Sequence, residues 1–490
     1  MMASGEYPGI IWSGGWSTKE MTEYSQNGTF LDLTDYIQYM PNYKREMDKM
    51  EGSWRYVTSP DGGMYSLAAV NPANYDSLMR MWINRKWLDN VEMDAPETVD
   101  ELYQVLKAFK EKDADGDGDT ANEIPLCGYF GTNGTNVRTT MLNAFGFDTK
   151  GELDFNVGLE SWNGNQVVYM PLTERYKEYL AYMKKLMEEG LMDQDMFSQD
   201  QAQFQAKAAE GRGGVLGAGS FLDTTAEGDY EAYERLIPKY DESSEKVVAH
   251  ADSVRYGSVV ITDKCEDPVL AAKWIDMFYT PENAFNFQSG PIIIEHADGT
   301  VESRTEGISE NPNVGCHVQV DENGKYLAVS FPGVDIPELN PDKLGAWDWL
   351  CLEHPANAMF NSTIGEYYFY GQLFEGFPGN VEEEIAYEFS RYENEEADFS
   401  NRSIGYTRGS DVRESAPYWR SGYPTVYPSV EQQEWLDEHK KILEDYVLQM
   451  EAKFITGAAD LDKEYDAYIQ ELKNKGAEEY QKIYVELYNK

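Results

Sequence analysis

The stretch DADGDGDTANEIP, residues 113–125, constrains this chain more than any other. Asp113, Asp115 and Asp117 alternate, so their carboxylates can converge on one hard cation while Gly116 and Gly118 let the backbone turn sharply. Calcium-binding EF-hand loops place oxygen ligands at their first, third and fifth positions, a glycine at the sixth and a backbone carbonyl at the seventh. Gly118 stands in the glycine place and Asp119 in the carbonyl place. The twelfth place, a bidentate glutamate in an EF-hand, is Ile124, and the nearest glutamate is Glu123. The segment therefore reads as a shortened, EF-like loop. A solvated acidic turn is the plainer alternative, but Asp113, Asp115, Asp117 and Asp119 repel one another without a counter-ion. Calcium is the expectation, in a structural rather than a sensing role.

The chain has 490 residues, enough for more than one domain. No apolar run of about 18 residues occurs, so no segment is expected to span a membrane as a helix. The formal net charge of −46 argues against nucleic acid and against anionic surfaces. Cys127, Cys265, Cys316 and Cys351 are widely spaced and contain no CxxC, which fits neither a disulfide scaffold nor a zinc site. Spacing alone does not say whether any two pair. The opening MMASGEYPGI has no basic region followed by an apolar one, so no export signal is expected in it.

Local patterns alternate between strand and helix. YPGIIW, residues 7–12, reads as a strand ending at Gly14-Gly15, with a helix from Ser17. Thr98 and Glu101 form a capping box for a helix carrying Leu102, Val105, Leu106 and Phe109. IPLCGYF follows the acidic loop as a short strand. A helix runs from Thr173 to a stop at Gly190, and RYGSVVI, residues 255–261, reads as a strand. Asp267-Pro268 supplies a cap and a first-turn proline for a helix through Trp274 and Phe278, and Pro281 starts another. Residues 300–430 show few periodic stretches, and GNVEEEIAYEFSRYENEEADFSNR is charge-dense and expected to be exposed. Helical patterns dominate from Val430 to Lys490. The expected fold class is α/β.

The order of several fragments resembles the extracellular solute-binding proteins of carbohydrate ABC importers. They are GTFLDLTDYI with MPNY, DGGMYSL, INRKWLDN, APETVDELYQVLKAFKEKDADGDGDTANEIPL, EYLAYMKKLMEEGLMDQDMFSQDQAQF, DPVLAAKWIDMFYTPENAFNFQSG and the C-terminal KFITGAADLDKEYDAYIQELKNKGAEEYQKIYVELY. The likeness is nearest to the lipoprotein-type members of Gram-positive bacteria, related to alginate- and maltose-binding proteins. It implies a two-lobed, type II binding-protein fold with a hinge, closing on a solute. The first lobe would comprise residues 1–84 and 252–330. The second would comprise 85–251, carrying the calcium loop, and 331–490 with the C-terminal helices. The likeness also implies a monomer working with permease subunits, and calcium ligands at Asp113, Asp115, Asp117, Asp119 through its carbonyl, Asn122 and Glu123. Such proteins begin with a signal peptide, a lipid-modified cysteine and a first strand and helix ahead of the segment matching YPGIIW. The expectation is accordingly a start-truncated chain that leaves a strand edge exposed.

Binding rather than catalysis is the chemistry expected. Aromatic residues make up 13% of the chain, with 35 tyrosines and 11 tryptophans. A flat indole or phenol matches the apolar face of a sugar ring, and its N–H or O–H bonds a hydroxyl. Most aromatics at helical spacing are core residues. Trp12 and Trp16 flank a glycine turn at a strand end, where open α/β sheets place ligands. Trp347 and Trp349 alternate in an irregular segment. By resemblance, Phe221 occupies a place where relatives carry a binding aromatic, and Tyr65, Asn71 and Tyr256 lie near crossover points. Excess negative charge favours neutral glycans over uronate polymers unless Arg55, Arg85, Arg138, Arg391 and Arg420 gather locally. The chain contains no HExxH, GxSxG or P-loop. A calcium-dependent glycoside hydrolase is the alternative from another class, since 87 acidic residues always allow a carboxylate pair. Peptide or lipid-like solutes on the same fold are the other alternative.

Overall fold

The structure is a computed structural model. It describes residues 2–12, 15–50, 52–71, 80–130, 137–149, 155–157, 166–219, 221, 229–250, 253–289, 293–303, 317–330, 333–343, 363–364, 372–395, 397, 399–420, 422–424 and 426–489. The chain forms two compact units. One comprises Met1–Asn74, Asp252–Glu383 and Thr425–Val430, the other Tyr75–Ala251, Glu384–Pro424 and Glu431–Lys490. Each mixes strands and helices, the α/β two-lobed class that the sequence implies. Two expected boundaries need correction. The strand Met81–Asn84, expected in the first lobe, is hydrogen-bonded into the second unit's sheet. Residues 331–383, expected in the second lobe, belong to the first unit.

In the first unit, Ile10–Trp12, Val254–Ile261 and Leu67–Val70 form an antiparallel sheet in that order. The register of the long strand shifts between Arg255 and Val259. Gly257 makes this possible at φ 73°, a backbone conformation that side chains with a Cβ resist. Its N–H donates to Ser66 Oγ at 3.1 Å. A second sheet orders Val301–Ser303, Ile293–His296, His317–Val320 and Tyr326–Ser330. The helix Pro268–Asp276 begins on Asp267, whose side chain accepts from Leu270 N, as its sequence requires.

In the second unit, the sheet order is Ile124–Cys127, Gly213–Gly217, Met81–Asn84 and Tyr233–Arg235, with only the first pair parallel. Gly214 lies so close to its cover that a Cβ there would meet Phe109 at 2.5 Å and Trp87 at 2.6 Å. The glycine run GRGGVLGAGS thus serves close packing. Val99–Glu111 carries the expected capping box and buries Leu102, Val105, Leu106 and Phe109 against this sheet.

Residues 300–430 contain more order than their sequence suggests. Val381–Glu393 and Phe399–Ser415 are helices. The second buries Ser403, Thr407, Ser410, Asp411 and Ser415, so its inward face is small and polar and leaves no apolar rhythm. At Gly405 a Cβ would sit 2.5 Å from the Glu388 carbonyl oxygen, so the two helices meet backbone to backbone. The first helix is not simply exposed: Glu384 and Glu388 are 1% and 0% accessible. Burial pushes the Glu388 carboxyl up to about 7 from an ordinary 4.5, against the lowering pull of Arg391. Between those values the unfolded chain releases a proton that the folded chain retains, so this group's contribution to stability falls as pH rises. Glu388→Gln is expected to remove roughly 1–3 kcal/mol of stability loss between about pH 5 and pH 8. Urea unfolding across that range checks it; an unchanged slope would mean Glu388 is already ionised when folded.

Candidate functional site

Two groups of residues carry recognisable chemistry, one in each unit. In the second unit the acidic loop connects Val99–Glu111 to the edge strand Ile124–Cys127. Ligand oxygens of Asp113, Asp115 and Asp117 lie within 4.8 Å of one another. Backbone amides shape the loop: Gly116 N and Gly118 N donate to Asp113, Asp117 N to Asp115, and Asp119 N to Asp117. Neighbours hold it from outside. Asn90 Nδ2 donates to the Ala114 carbonyl at 2.9 Å, and Arg212 Nε to the Asn122 carbonyl at 3.1 Å. Neither residue carries a sequence signal for this role, because each reaches the loop only through the fold.

Two acceptors in the loop lack donors. Glu123 is 3% accessible; its Oε1 accepts from Ala114 N at 3.2 Å, while Oε2 has no partner. Asn122 Nδ2 donates to Asp117 Oδ2 at 2.7 Å, while Asn122 Oδ1 is buried without a partner. Burial raises the affinity of Asp115 and Glu123 for protons, and the charges of neighbouring aspartates add to it. An all-oxygen donor set with two orphaned acceptors and mutually repelling carboxylates fits a hard divalent cation. Asp119 Oδ1 accepts from Ala121 N, which engages its side chain within the loop.

In the first unit, Trp16, Tyr65 and Tyr256 pack around one cluster of Met21, Phe30, Val260 and Tyr427. Trp16 meets Phe30 and Tyr24 edge-on at centroid distances of 5.0 and 5.8 Å. Tyr256 meets Tyr427 at 5.4 Å. Tyr24 and Tyr427 were not among the expected ligand residues; Tyr427 joins from a remote part of the chain. Tyr65 Oη donates to Asp61 Oδ2 at 2.8 Å, and burial with this acidic neighbour pushes the phenol up to about 12. Two polar atoms along the Val254–Ile261 strand are buried without partners: Trp16 Nε1, on the ring beside Gly257, and Asn71 Oδ1, on the residue whose N–H donates to Ser253. One is a donor and the other an acceptor, and hydroxyl groups can serve either.

The other expected ligand residues are not gathered there. Trp12 packs on Trp274 and Phe278, at 6.0 and 5.4 Å. Phe221 is corrected: it is 0% accessible, between Trp82 at 4.9 Å and Tyr233 at 5.6 Å, and has no free face for a sugar. Trp347 and Trp349 lie outside the described residues. Cys127 and Cys265 are free thiols, and Cys316 and Cys351 lie outside the described residues. Among the described residues no helix is long and apolar enough to cross a membrane.

No family model matches the chain. Over 289 residues it is 30% identical to the fructooligosaccharide ABC transporter substrate-binding protein FusA of Streptococcus pneumoniae serotype 4, covering 57% of this chain and 52% of FusA. It is 28% identical over 225 residues to the polygalacturonan/rhamnogalacturonan-binding protein YtcQ of Bacillus subtilis, covering 45% of this chain and 41% of YtcQ. The chain thus spans about half the length of the curated relatives it matches. Solved FusA in complex with kestose superposes with a TM-score of 0.67 at 24% identity, covering 100% of this chain and 89% of that one. An EF-hand mutant of FusA in complex with fructo-nystose gives 0.65 at 23% identity, covering 100% and 89%. An extracellular solute-binding protein from Bifidobacterium longum subsp. infantis gives 0.69 at 18% identity, covering 100% and 88%. The structures establish the fold, that of solute-binding proteins, and among the curated relatives FusA is a fructooligosaccharide ABC transporter substrate-binding protein.

Removing Phe221 tests its reassignment to the core. Phe221→Ala is expected to cost about 3–5 kcal/mol in chemical denaturation, the loss typical of a fully buried aromatic. A loss below about 1 kcal/mol would return the ring to a solvent-facing role.

Proposed function

We propose that this chain is the solute-binding component of an ABC importer. It captures a neutral oligosaccharide outside the membrane as a monomer and presents it to permease subunits, with no bond made or broken. The similarity to FusA carries this reading. The orphaned Trp16 Nε1, in one cluster with Tyr65 and Tyr256, and the orphaned Asn71 Oδ1 support it as hydrogen-bonding and stacking groups for a sugar. The protein's place is the cell surface, as a lipoprotein, by likeness to the lipoprotein LipO of Bacillus subtilis. The chain's own residues bind and orient: indole and phenol faces cover the ring, and amide and indole edges fix the hydroxyls. Trp12, Trp347 and Trp349 are retained as further stacking candidates.

Calcium completes the reading. It would be held by Asp113, Asp115, Asp117, the Asp119 carbonyl, Asn122 and Glu123, and would neutralise repulsion that the apo loop cannot relieve. Its role is structural, fixing the join between Val99–Glu111 and Ile124–Cys127.

Calorimetry with kestose and nystose is expected to show saturable binding with no sugar released as product. Appearance of free fructose or other reducing sugar would favour a hydrolase instead. Trp16→Ala and Asn71→Ala are each expected to weaken binding about tenfold or more, the scale of one lost hydrogen-bonded or stacking contact. The calcium assignment is checked separately by thermal melting with and without a chelator. Chelation is expected to lower Tm by about 5 °C or more, and Glu123→Gln to reduce that difference. Identical melts would leave the loop an acidic turn.

A further inference from the structure

The second unit carries a groove of ≈ 650 Å³ that neither the calcium loop nor the aromatic cluster uses. Its walls are the Arg85–Val91 helix, the Tyr233–Arg235 strand with the turn before it, and the paired helices Val381–Glu393 and Phe399–Ser415. The size falls within the range of small-molecule sites, about 300–1,000 Å³. We propose that this groove is a second, weaker saccharide-binding site built within one unit, with Glu234 and Asp89 as hydroxyl acceptors and the partly buried Tyr392, backed by the core residue Tyr406, as its aromatic face. The ligand class rests on the carbohydrate-binding reading above.

Partner assignments inside the groove support this choice. Glu231 is engaged: Tyr392 Oη donates to its carboxylate at 3.0 Å, and Arg85 Nη2 donates to its carbonyl at 2.6 Å. Glu234 is half-buried, and among the described residues no hydrogen bond or ion pair reaches its carboxyl group. Burial raises its affinity for a proton more than the charge of Arg85 lowers it. A group in that condition gains most from a hydroxyl donor that arrives with a ligand. Tyr392 and Tyr406 stand 5.2 Å apart at 60°, forming an aromatic corner rather than a flat stack. Their hydroxyls are spent on Glu231 and the Tyr233 carbonyl, so the rings are held in place before any ligand binds.

The chemistry also separates this groove from the acidic loop. Among the described residues, Asp113, Asp115 and Asp117 are the only group of three or more side chains whose ligand atoms lie close enough to share a metal ion. The groove's lining mixes the carboxylates of Asp89, Asp94, Glu231 and Glu234 with Arg85 and Lys86. Carboxylate acceptors, a guanidinium donor and ring surfaces match a hydroxyl-covered ring better than a point charge.

Equilibrium dialysis of the whole chain against kestose tests the proposal. The expected result is two sugars per chain, one tight and one weak. Glu234→Ala and Asp89→Ala should each weaken the weak phase about tenfold and leave the tight phase unchanged. One sugar per chain, unaffected by either substitution, would overturn the groove while leaving the importer reading intact. One sugar per chain, lost in Glu234→Ala, would support the groove and sink the assignment of the first-unit cluster. Displacement of the weak phase by spermidine at constant ionic strength would overturn the proposal by assigning the groove to a cation.

Discussion

A carboxylate removed from water must find a compensating charge, a set of hydrogen-bond donors or a proton, since leaving it alone costs several kcal/mol. In a chain with a net charge of −46, this requirement organises the interior. Asp411 is fully buried and takes Arg80 at 2.7 Å and Arg235 at 2.8 Å. Arg80 continues to the Gly219 carbonyl, and Arg235 to that of Met81. One side chain on the Phe399–Ser415 helix therefore fixes the flanks of two neighbouring strands. Glu451 works the same way among helices, receiving both arms of Arg138 at 2.7 and 2.9 Å and the Tyr176 hydroxyl at 2.5 Å. In the first unit, Asp276 is satisfied by the amides of Asn42 and Tyr43 at the start of the Pro41–Asp48 helix.

The exceptions to that rule are where function is read. Glu123 and Asp115 lie among other carboxylates, and the proposed calcium ion is the partner that would satisfy them. Glu388 lies in the core one helical turn from Glu384, and its compensation is a raised affinity for a proton as well as Arg391. Glu234 borders a groove without a donor, and a hydroxyl fills that need. The same reasoning extends to neutral groups. Trp16 Nε1 and Asn71 Oδ1 stand out because other buried polar atoms nearby, such as Ser66 Oγ and Tyr43 Oη, are bonded to backbone amides.

Legibility in the sequence followed the range of the interactions involved. Features closed within one turn were readable: the Thr98–Glu101 capping box, the Asp267-Pro268 start and the alternating aspartates of the acidic loop. Features set by distant partners were not. The Phe399–Ser415 helix carries its inward face as Ser, Thr and Asp, which have meaning only once Arg80 and Arg235 face them. Phe221 is expected to stack on a ligand only by resemblance, and Trp82 and Tyr233 enclose it from other parts of the sheet. Tyr427 joins the cluster around Trp16 across most of the chain length, a proximity that no local pattern encodes. Asn90 and Arg212, which brace the acidic loop, are ordinary helix and strand-end residues until folding brings them to it.

Charge also bears on which glycans the chain tolerates. A uronate polymer adds one negative charge per sugar, so its repulsion from an acidic surface grows with length, while a neutral glycan feels none. Only a local basic patch within about a Debye length, roughly 8 Å at physiological salt, would reverse that preference. Several arginines available for such a patch are already committed. Arg138 is spent on Glu451 and Arg391 on Glu388. Arg55 lies 5.3 Å over the Tyr56 ring. The fold uses much of its scarce positive charge to neutralise its own interior, leaving an acidic exterior on which a neutral, hydroxyl-rich ligand meets the least opposition.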